Sequence, residues 1–209
     1  GDVWMMTVED YAQASWARRL WYRVYRHPFF MFIIGPFFIF AVINRIPRFN
    51  GPRHEAMSVV WTNLALIAIW ITLGLTVGIG SYLIIHIPVL AFSGIAGLGL
   101  FYVQHNFEKA YWRRGESHDY AEAALLGSSH LKLPRLLQWF SGNIGFHHIH
   151  HLSPRIPNYS LESCHRRLSN LPGVTTIGMR ECFQTLSLRL WDDEAQRMIS
   201  FSEYERQQA

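Results

Sequence analysis

Four histidines lie within one short segment of the chain and are its most specific indication of chemistry. The whole sequence of 209 residues holds 11 histidines, and the segment reads Phe146-His147-His148-Ile149-His150-His151-Leu152. On a helix, His147, His150 and His151 stand at positions i, i+3 and i+4 and share one face. His148 is rotated by about 100° from His147 and points elsewhere. Clustered neutral imidazoles are typical of iron, zinc, copper or nickel sites, so the pattern predicts a metal site. The alternative, a solvated polar helix turn, is disfavoured by the apolar residues that flank the cluster.

A second candidate ligand, His105, lies at the end of an apolar stretch. It follows Val103-Gln104 and precedes Asn106-Phe107-Glu108, where an uncharged segment would leave a membrane. Ionisable residues at such a place are often functional, although a lone histidine there is equally an interfacial polar anchor. The histidine cluster favours the ligand role for His105, because the segment that carries the cluster must pack against another part of the chain. The other histidines are interpreted as solitary: His27 and His54 in basic loops, His86 in an apolar segment, and His118, His130 and His165 as unpaired surface positions.

The elements that must position these histidines are mainly membrane helices. Residues 57–104 contain no Lys, Arg, Asp or Glu, which is hard to explain as a soluble core. Three apolar membrane segments are predicted, at about residues 29–46, 57–77 and 82–103. Only Gly78-Ile79-Gly80-Ser81 joins the last two, which predicts a tight antiparallel transmembrane hairpin. We therefore expect an all-α, multi-pass integral membrane fold.

The arginines predict how these segments are oriented. The loop 44–54 carries three arginines and no acid, so it is expected on the cytoplasmic side. The hairpin then returns to that side, which places a helical cap over residues 105–174, with the histidine cluster, in the cytoplasm. Residues 18–26 are equally basic, so the segment 29–46 would begin and end on one side. A re-entrant or interfacial helix kinked at Pro36 is preferred, and a full crossing is the rival.

Composition and charge argue against other classes of protein. Hydrophobic residues make up 50% of the chain and charged residues 16%, against about 25% charged in ordinary soluble domains. The net charge of +4 comes from basic residues that flank the apolar segments, which indicates membrane-surface contact and no nucleic-acid partner. Cys164 and Cys182 lie in the expected cytoplasmic part, so no disulfide is predicted. Residues 175–209 are charged and amphipathic, and are expected to form a peripheral helical tail.

The longer pattern around the cluster resembles a known enzyme family. The matching stretches are Gln104-His105-Asn106-Phe107-Glu108, Gly127-Ser128-Ser129, Leu133-Pro134, Asn143-Ile144-Gly145, and the run from His147 to Tyr159. They look like the C-terminal half of bacterial membrane fatty acid desaturases of the acyl-lipid type. The resemblance runs from about residue 1 to about residue 171, and the desaturase domain is accordingly expected over residues 1–174.

The resemblance implies a di-iron enzyme that introduces a double bond into a membrane-embedded acyl chain. Such enzymes use O2 and an external electron donor such as ferredoxin or cytochrome b5. They hold two irons through three histidine boxes and an extra histidine. His147, His150 and His151 match the third box, and His105 matches the extra position. His148 takes a slot of the motif without a ligand role, so its replacement is expected to leave substantial activity.

The sequence departs from the family pattern before residue 105. No HxxxH or HxxHH motif precedes that position, so two of the three boxes are missing. Together with the start Gly1-Asp2-Val3-Trp4, which looks like the segment after the second box, this indicates a C-terminal fragment that is inactive alone. A histidine-box lipid hydroxylase is the close alternative. A non-enzymatic membrane metal-binding or transport protein is the distant one, because transporters place ligands near the membrane midplane and residues 57–104 offer only His86.

Overall fold

Two units make up the chain in the computed structural model, which describes residues 3–112, 120–168 and 173–208. One unit combines Gly1–Leu20 with Leu100–Ala209, and the other is Trp21–Gly99. The described chain begins with strand β1 (Met6–Thr7) and helices α1 (Val8–Gln13) and α2 (Trp16–Tyr25). Helix is the main secondary structure of both units.

The unit Trp21–Gly99 is built from apolar helix. After α2 come a π-helix (Phe30–Ile34), α3 (Gly35–Phe37), a second π-helix (Phe38–Val42) and a 3-10 turn (Ile43–Arg45). Then follow α4 (Arg53–Leu73), a π-helical turn (Gly74–Gly78) and α5 (Ile79–His105). Pro36 has no backbone N–H to donate, so the i to i−4 hydrogen-bond ladder is interrupted there and wider π turns flank it.

The helices of this unit expose apolar side chains. By length and composition the helical run Arg53–His105 is apolar enough to cross a membrane, with a mean hydropathy of 2.1 and only 6% of its apolar window buried. The pair Trp16–Tyr25 and Phe30–Arg45, bent by 60°, passes the same test only when counted together. Ile84 and Phe92 of α5 are 76% and 73% exposed, whereas a soluble core helix would bury such residues, so a lipid surrounding suits this unit.

The helical run Arg53–His105 is not straight. The rings of Trp70 and His86 lie 6.2 Å apart, although 16 residues of straight helix would separate them by roughly 24 Å. The backbone at Gly78 has φ of +85°, a conformation that glycine adopts without steric cost. The chain therefore reverses near Gly78, and α4 and α5 are neighbours where they join.

The segment before α4 lies alongside these two helices. Asn63 Nδ2 donates to the Arg45 carbonyl at 2.7 Å, and Asn63 follows the first residue of α4 by ten positions. Since ten helical residues rise about 15 Å, residues 46–52 must run back along α4 to reach its start. A Cβ on Gly94 would lie 2.8 Å from the Cβ of Pro36, so these two backbones approach closely.

The unit Gly1–Leu20 with Leu100–Ala209 mixes short helices with two small sheets. After α5 come α6 (Tyr120–Leu126), β2 (His130–Leu131), α7 (Arg135–Phe140), α8 (His147–Leu152), α9 (Asn158–Arg167), β3 (Thr176–Ile177), α10 (Met179–Thr185), β4 (Leu188–Asp192), β5 (Arg197–Ser200) and α11 (Phe201–Gln207). β4 pairs in parallel with β1 and antiparallel with β5, and β2 pairs in parallel with β3. Buried side chains join the end of α5 to β2 and β3: Val103, Phe107, Ala110, Leu131 and Ile177.

Residues 175–209 do not form the peripheral helical tail expected from the sequence. They contain β3, β4 and β5, and the side chains of Leu190 and Ile199 are 0% exposed. The all-α expectation is wrong for this unit, because short strands lie on both sides of a charged turn. In that turn Asp192 Oδ1 accepts two backbone N–H groups and helps to reverse the chain. The C-terminal segment belongs to the same packed unit as the histidine segment.

The C-terminal segment also holds the end of α5. Asn106 Nδ2 donates to the carbonyl of Thr185 at 2.9 Å and to that of Leu188 at 3.3 Å. The Tyr102 hydroxyl donates to the same Leu188 carbonyl at 3.1 Å. Residues on both sides of His105 are thus fixed to the connection between α10 and β4.

Replacing Asn106 by alanine is expected to lower the free energy of unfolding by about 1–3 kcal/mol, because the buried Thr185 carbonyl loses its side-chain donor. The measurement is denaturant unfolding of the chain in detergent micelles, followed by near-ultraviolet circular dichroism. Ser202→Ala, at an exposed position of α11, is the control and should change stability by less than about 0.5 kcal/mol. Equal stability of the two variants would contradict the role assigned to Asn106.

Candidate metal centre

Three of the four predicted ligands meet at one point. Nε2 of His147 lies 2.9 Å from Nε2 of His105 and 3.1 Å from Nε2 of His151. The Nε2 atoms of His105 and His151 are also 3.1 Å apart. Within the described ranges, these histidines form the one group of three ligand-type side chains whose ligand atoms all lie within 4.8 Å of one another. Since His105 is 42 residues from His147, the tertiary fold brings it to the cluster.

His105 is the last residue of α5, and a loop carbonyl orients its ring. Nδ1 of His105 lies 3.0 Å from the carbonyl oxygen of Gly127. Because a carbonyl only accepts, Nδ1 carries the proton, and the Nε2 lone pair is left facing the other two rings. A Cβ on Gly127 would lie 2.5 Å from the Ala123 oxygen, so glycine is required for this close backbone path.

The short helix α8 places His147 and His151 one turn apart on the same face. Ile149, 0% exposed, points to another side of the helix and packs on α9. A sharp turn precedes α8, where Gly142 and Asn143 have φ of +62° and +60°. Glycine and asparagine are the residues that adopt this left-handed conformation most readily. The turn lets the chain enter α8 directly from α7.

Burial keeps the imidazole of His147 neutral. The side chain is 6% exposed, and desolvation, followed by the neighbouring His105 and His151, lowers its pKa from 6.5 to about 2. The neutral ring is the form that binds metal. Its Nδ1 atom is buried and has no hydrogen-bond partner in the part of the chain that the structure describes.

A metal ion fits the three nitrogens. One proton could bridge only two of them, whereas a cation can accept all three lone pairs. With nitrogens 2.9–3.1 Å apart, a cation about 2.1 Å from each would see neighbouring nitrogens at roughly 90°, like three ligands on one face of an octahedron. Imidazole donors suit iron, zinc, copper and nickel. The residues present therefore fit a transition metal.

Comparison with known proteins identifies the family. The family model described as fatty acid desaturase matches residues 3–182. A protein of Bacillus subtilis (strain 168) named fatty acid desaturase is 45% identical over 201 residues, which cover 96% of this chain and 57% of the relative. The chain belongs to the fatty acid desaturase family. The resemblance inferred from the histidine motifs is confirmed at the level of the family.

A plant member of the desaturase family is also similar over a shorter stretch. The omega-6 fatty acid desaturase, chloroplastic, of Glycine max is 33% identical over 66 residues, which cover 32% of this chain and 16% of the relative. This desaturase-family chain therefore spans 57% of the length of its Bacillus relative and much less of the plant one.

The fourth predicted ligand of this desaturase-family chain, His150, lies beside His147 and His151. Its ring stacks on that of His147, with centroids 5.6 Å apart and an angle of 24° between the ring planes. Its centroid is 5.8 Å from that of His151. The side chain is half-buried and does not join the three Nε2 atoms. A ligand role for His150 stays a prediction.

The expectation that His130 and His165 are unpaired surface residues is wrong. Nε2 of His148 lies 3.0 Å from Nδ1 of His165, and the ring centroids of His130 and His165 are 4.5 Å apart. Sequence reasoning missed this second histidine group because His165 stands 17 residues from His148. The one indication of this group in the sequence was His148, an extra histidine that points away from the face of the predicted ligands. The predicted surface position His118 lies outside the described residues.

The pKa values of two of these histidines predict that the folded chain is sensitive to acid. Burial, and then the neighbouring His165, lowers the pKa values of His130 and His148 from 6.5 to about 4. Below pH 6.5 the unfolded chain binds protons that the folded chain does not bind until the pH approaches 4. The melting temperature in detergent micelles should therefore fall as the pH is lowered from 7 to 4.5.

The control for this pH dependence is His130→Phe. Phenylalanine keeps an aromatic ring against Phe146 but does not titrate, so the melting temperature of the variant should depend less on pH. A melting temperature that is constant between pH 7 and 4.5, or a variant with the same slope as the parent chain, would contradict the assignment.

Proposed function

We propose that this chain supplies iron ligands to an oxygen-dependent di-iron desaturase that acts on the acyl chains of membrane lipids. The meeting of His105, His147 and His151 carries the proposal, since three imidazoles with Nε2 atoms 2.9–3.1 Å apart form a suitable iron site. His150 is assigned to the second iron, because its ring lies against His147 without joining the three nitrogens. Further histidine boxes would complete the ligand set of the second iron.

The iron would supply the oxidising power that an unactivated methylene requires. The balanced reaction converts an acyl –CH2–CH2– unit, O2, two protons and two electrons into –CH=CH– and two molecules of water. Reduction of O2 takes four electrons, two from the acyl chain and two from an external donor such as ferredoxin or cytochrome b5. Family membership supports this class of reaction and substrate.

The chain's own part is to orient the ligands and to limit the access of water. The Gly127 carbonyl holds His105 in the tautomer whose Nε2 is free to bind metal. The ring of Phe101 packs against His105 at a centroid distance of 4.7 Å, one turn earlier on α5. His147 is 6% exposed, and dry surroundings protect a strong oxidant from side reactions.

We further propose that α4 and α5 cross the membrane as a hairpin and that the histidine box lies on the cytoplasmic side. The exposed apolar side chains and the reversal near Gly78 support the hairpin. The bond between Asn63 and Arg45 supports a re-entrant segment 29–46, because the chain must run back along α4 after it. The arginine-rich loop 44–54 supports the cytoplasmic assignment.

Cysteine labelling tests this topology. In a background with Cys164 and Cys182 replaced by alanine, cysteines at Asn50 and at the exposed Ser202 should react with an impermeant maleimide only from the cytoplasmic side. A cysteine at Gly80 should react only from the opposite side. Labelling of positions 50 and 80 from the same side of the membrane would contradict the re-entrant segment and favour a full crossing by residues 29–46.

The ligand assignment is tested in a chimera in which this chain replaces the matching segment of the Bacillus subtilis relative. In a host without its own desaturase, the chimera is expected to produce unsaturated lipid detectable by gas chromatography. Single alanine substitutions of His105, His147, His150 or His151 should abolish the product and lower bound iron, because each removes a ligand. His54→Ala, an exposed histidine of α4, is the control and should keep full activity. Normal activity of any ligand variant would contradict its role.

The 209-residue chain expressed alone is expected to bind at most one metal ion weakly and to make no unsaturated lipid. It carries four matched histidines, whereas the proposed site draws on three boxes and an extra histidine. The test compares iron content and lipid composition of membranes containing the chain or the chimera. Unsaturated lipid from the chain alone would show that four histidines suffice.

A further inference from the structure

The second histidine group lies behind the third histidine box. His148 is 1% exposed, and its Nε2 atom lies 3.0 Å from Nδ1 of His165 on α9. Helical spacing places His148 off the face that carries His147 and His151. The bond therefore joins the non-ligand side of α8 to the neighbouring helix.

Two imidazoles also enclose Phe146, the residue just before the box. The ring of Phe146 is stacked on that of His130, with centroids 5.0 Å apart and planes at 13°. On another side it meets the ring of His165 at 5.1 Å. Ile149 packs with Leu161 of α9 in the same region. The non-ligand side of α8 is thus held by one directional bond and several apolar contacts.

This group does not have the geometry of a second metal site. The three rings have centroids 4.5–5.8 Å apart, but among the described residues they do not form a group whose ligand atoms lie within 4.8 Å of one another. The parallel stacking of His130 on Phe146 directs that ring toward an apolar neighbour. A neutral hydrogen bond, in which one ring donates and the other accepts, accounts for the separation between His148 and His165.

We propose that His148 and His165 are positioning residues, whose hydrogen bond fixes the rotation of α8 so that His147 and His151 face His105. This inference rests on the proposed function of those three histidines as metal ligands. It differs from the expectation, drawn from the motif alone, that His148 is dispensable.

The length of α8 is the physical reason for such a bond. The helix has six residues, fewer than two turns, so few of its own hydrogen bonds hold it. Apolar contacts resist separation from α9 but only weakly resist rotation about the helix axis, because the hydrophobic effect is not directional. A rotation by one position would turn both ligands by about 100° away from His105. A directional bond from His148 opposes that rotation.

The test uses the 209-residue chain in detergent micelles, with Co²⁺ as the metal probe and ¹⁵N-labelled histidine. His165→Leu is expected to weaken Co²⁺ binding about tenfold, the lower end of the range known for groups that support metal ligands, and to change the cobalt absorption band. In the metal-free variant, the ring ¹⁵N resonances of His147 and His151 should move. His165→Asn keeps a hydrogen-bonding atom at the position of Nδ1, the atom that bonds His148, and should remain near the parent chain in both measurements.

Arg166→Leu, at the next and exposed position of α9, is the matched control and should leave both measurements unchanged. His165→Phe, which keeps an aromatic ring but has no hydrogen-bonding atom, is expected to behave like the leucine variant and replaces it if that variant does not fold. The inference is overturned if His165→Leu and His165→Phe match Arg166→Leu, or if His165→Asn is as impaired as they are. If the parent chain binds no Co²⁺, the proposed metal site is contradicted. The ring ¹⁵N resonances of His147 and His151 in the metal-free chain would still test the positioning role.

Discussion

Three imidazole nitrogens stay about 3 Å apart only if the protein keeps the rings neutral and fixes them from behind. Lone pairs repel at that distance, and a protonated ring would repel an incoming cation. The surroundings of His147 meet the first condition, since burial holds its pKa near 2. The Gly127 carbonyl meets the second for His105, because it accepts the proton on the far side of the ring.

The two ligand-bearing helices are fixed by different parts of the chain. The end of α5 is held by hydrogen bonds from Asn106 to Thr185, the last residue of α10, and from Tyr102 to Leu188, the first residue of β4. α8 is too short to be stable by itself and depends on α9, through Ile149 and His148. His105 is the last residue of the apolar helix α5, so a helix whose composition suits a lipid surrounding also carries a candidate ligand.

The sequence predicted the parts of this arrangement that depend on local periodicity or composition. The spacing of His147 and His151 implies a shared helical face, and the uncharged run 57–104 implies apolar helices with a reversal near Gly78. It did not predict the carbonyl that orients His105, since that contact joins positions 22 residues apart through a loop. It also missed β4 and β5, because strands of five and four residues beside a charged turn leave little hydrophobic pattern. The partner of His148 was missed because pairing at a separation of 17 residues has no local signature.

We propose that His105, His147 and His151 bind one metal ion through Nε2. X-ray absorption at the cobalt edge of the Co²⁺-loaded chain measures this coordination, because the fine structure counts imidazole rings around the metal. Three imidazole nitrogens at about 2.1 Å are expected in the parent chain and two in a His105→Ala variant. A parent spectrum with only oxygen neighbours, or an imidazole count unchanged by the His105→Ala substitution, would contradict it.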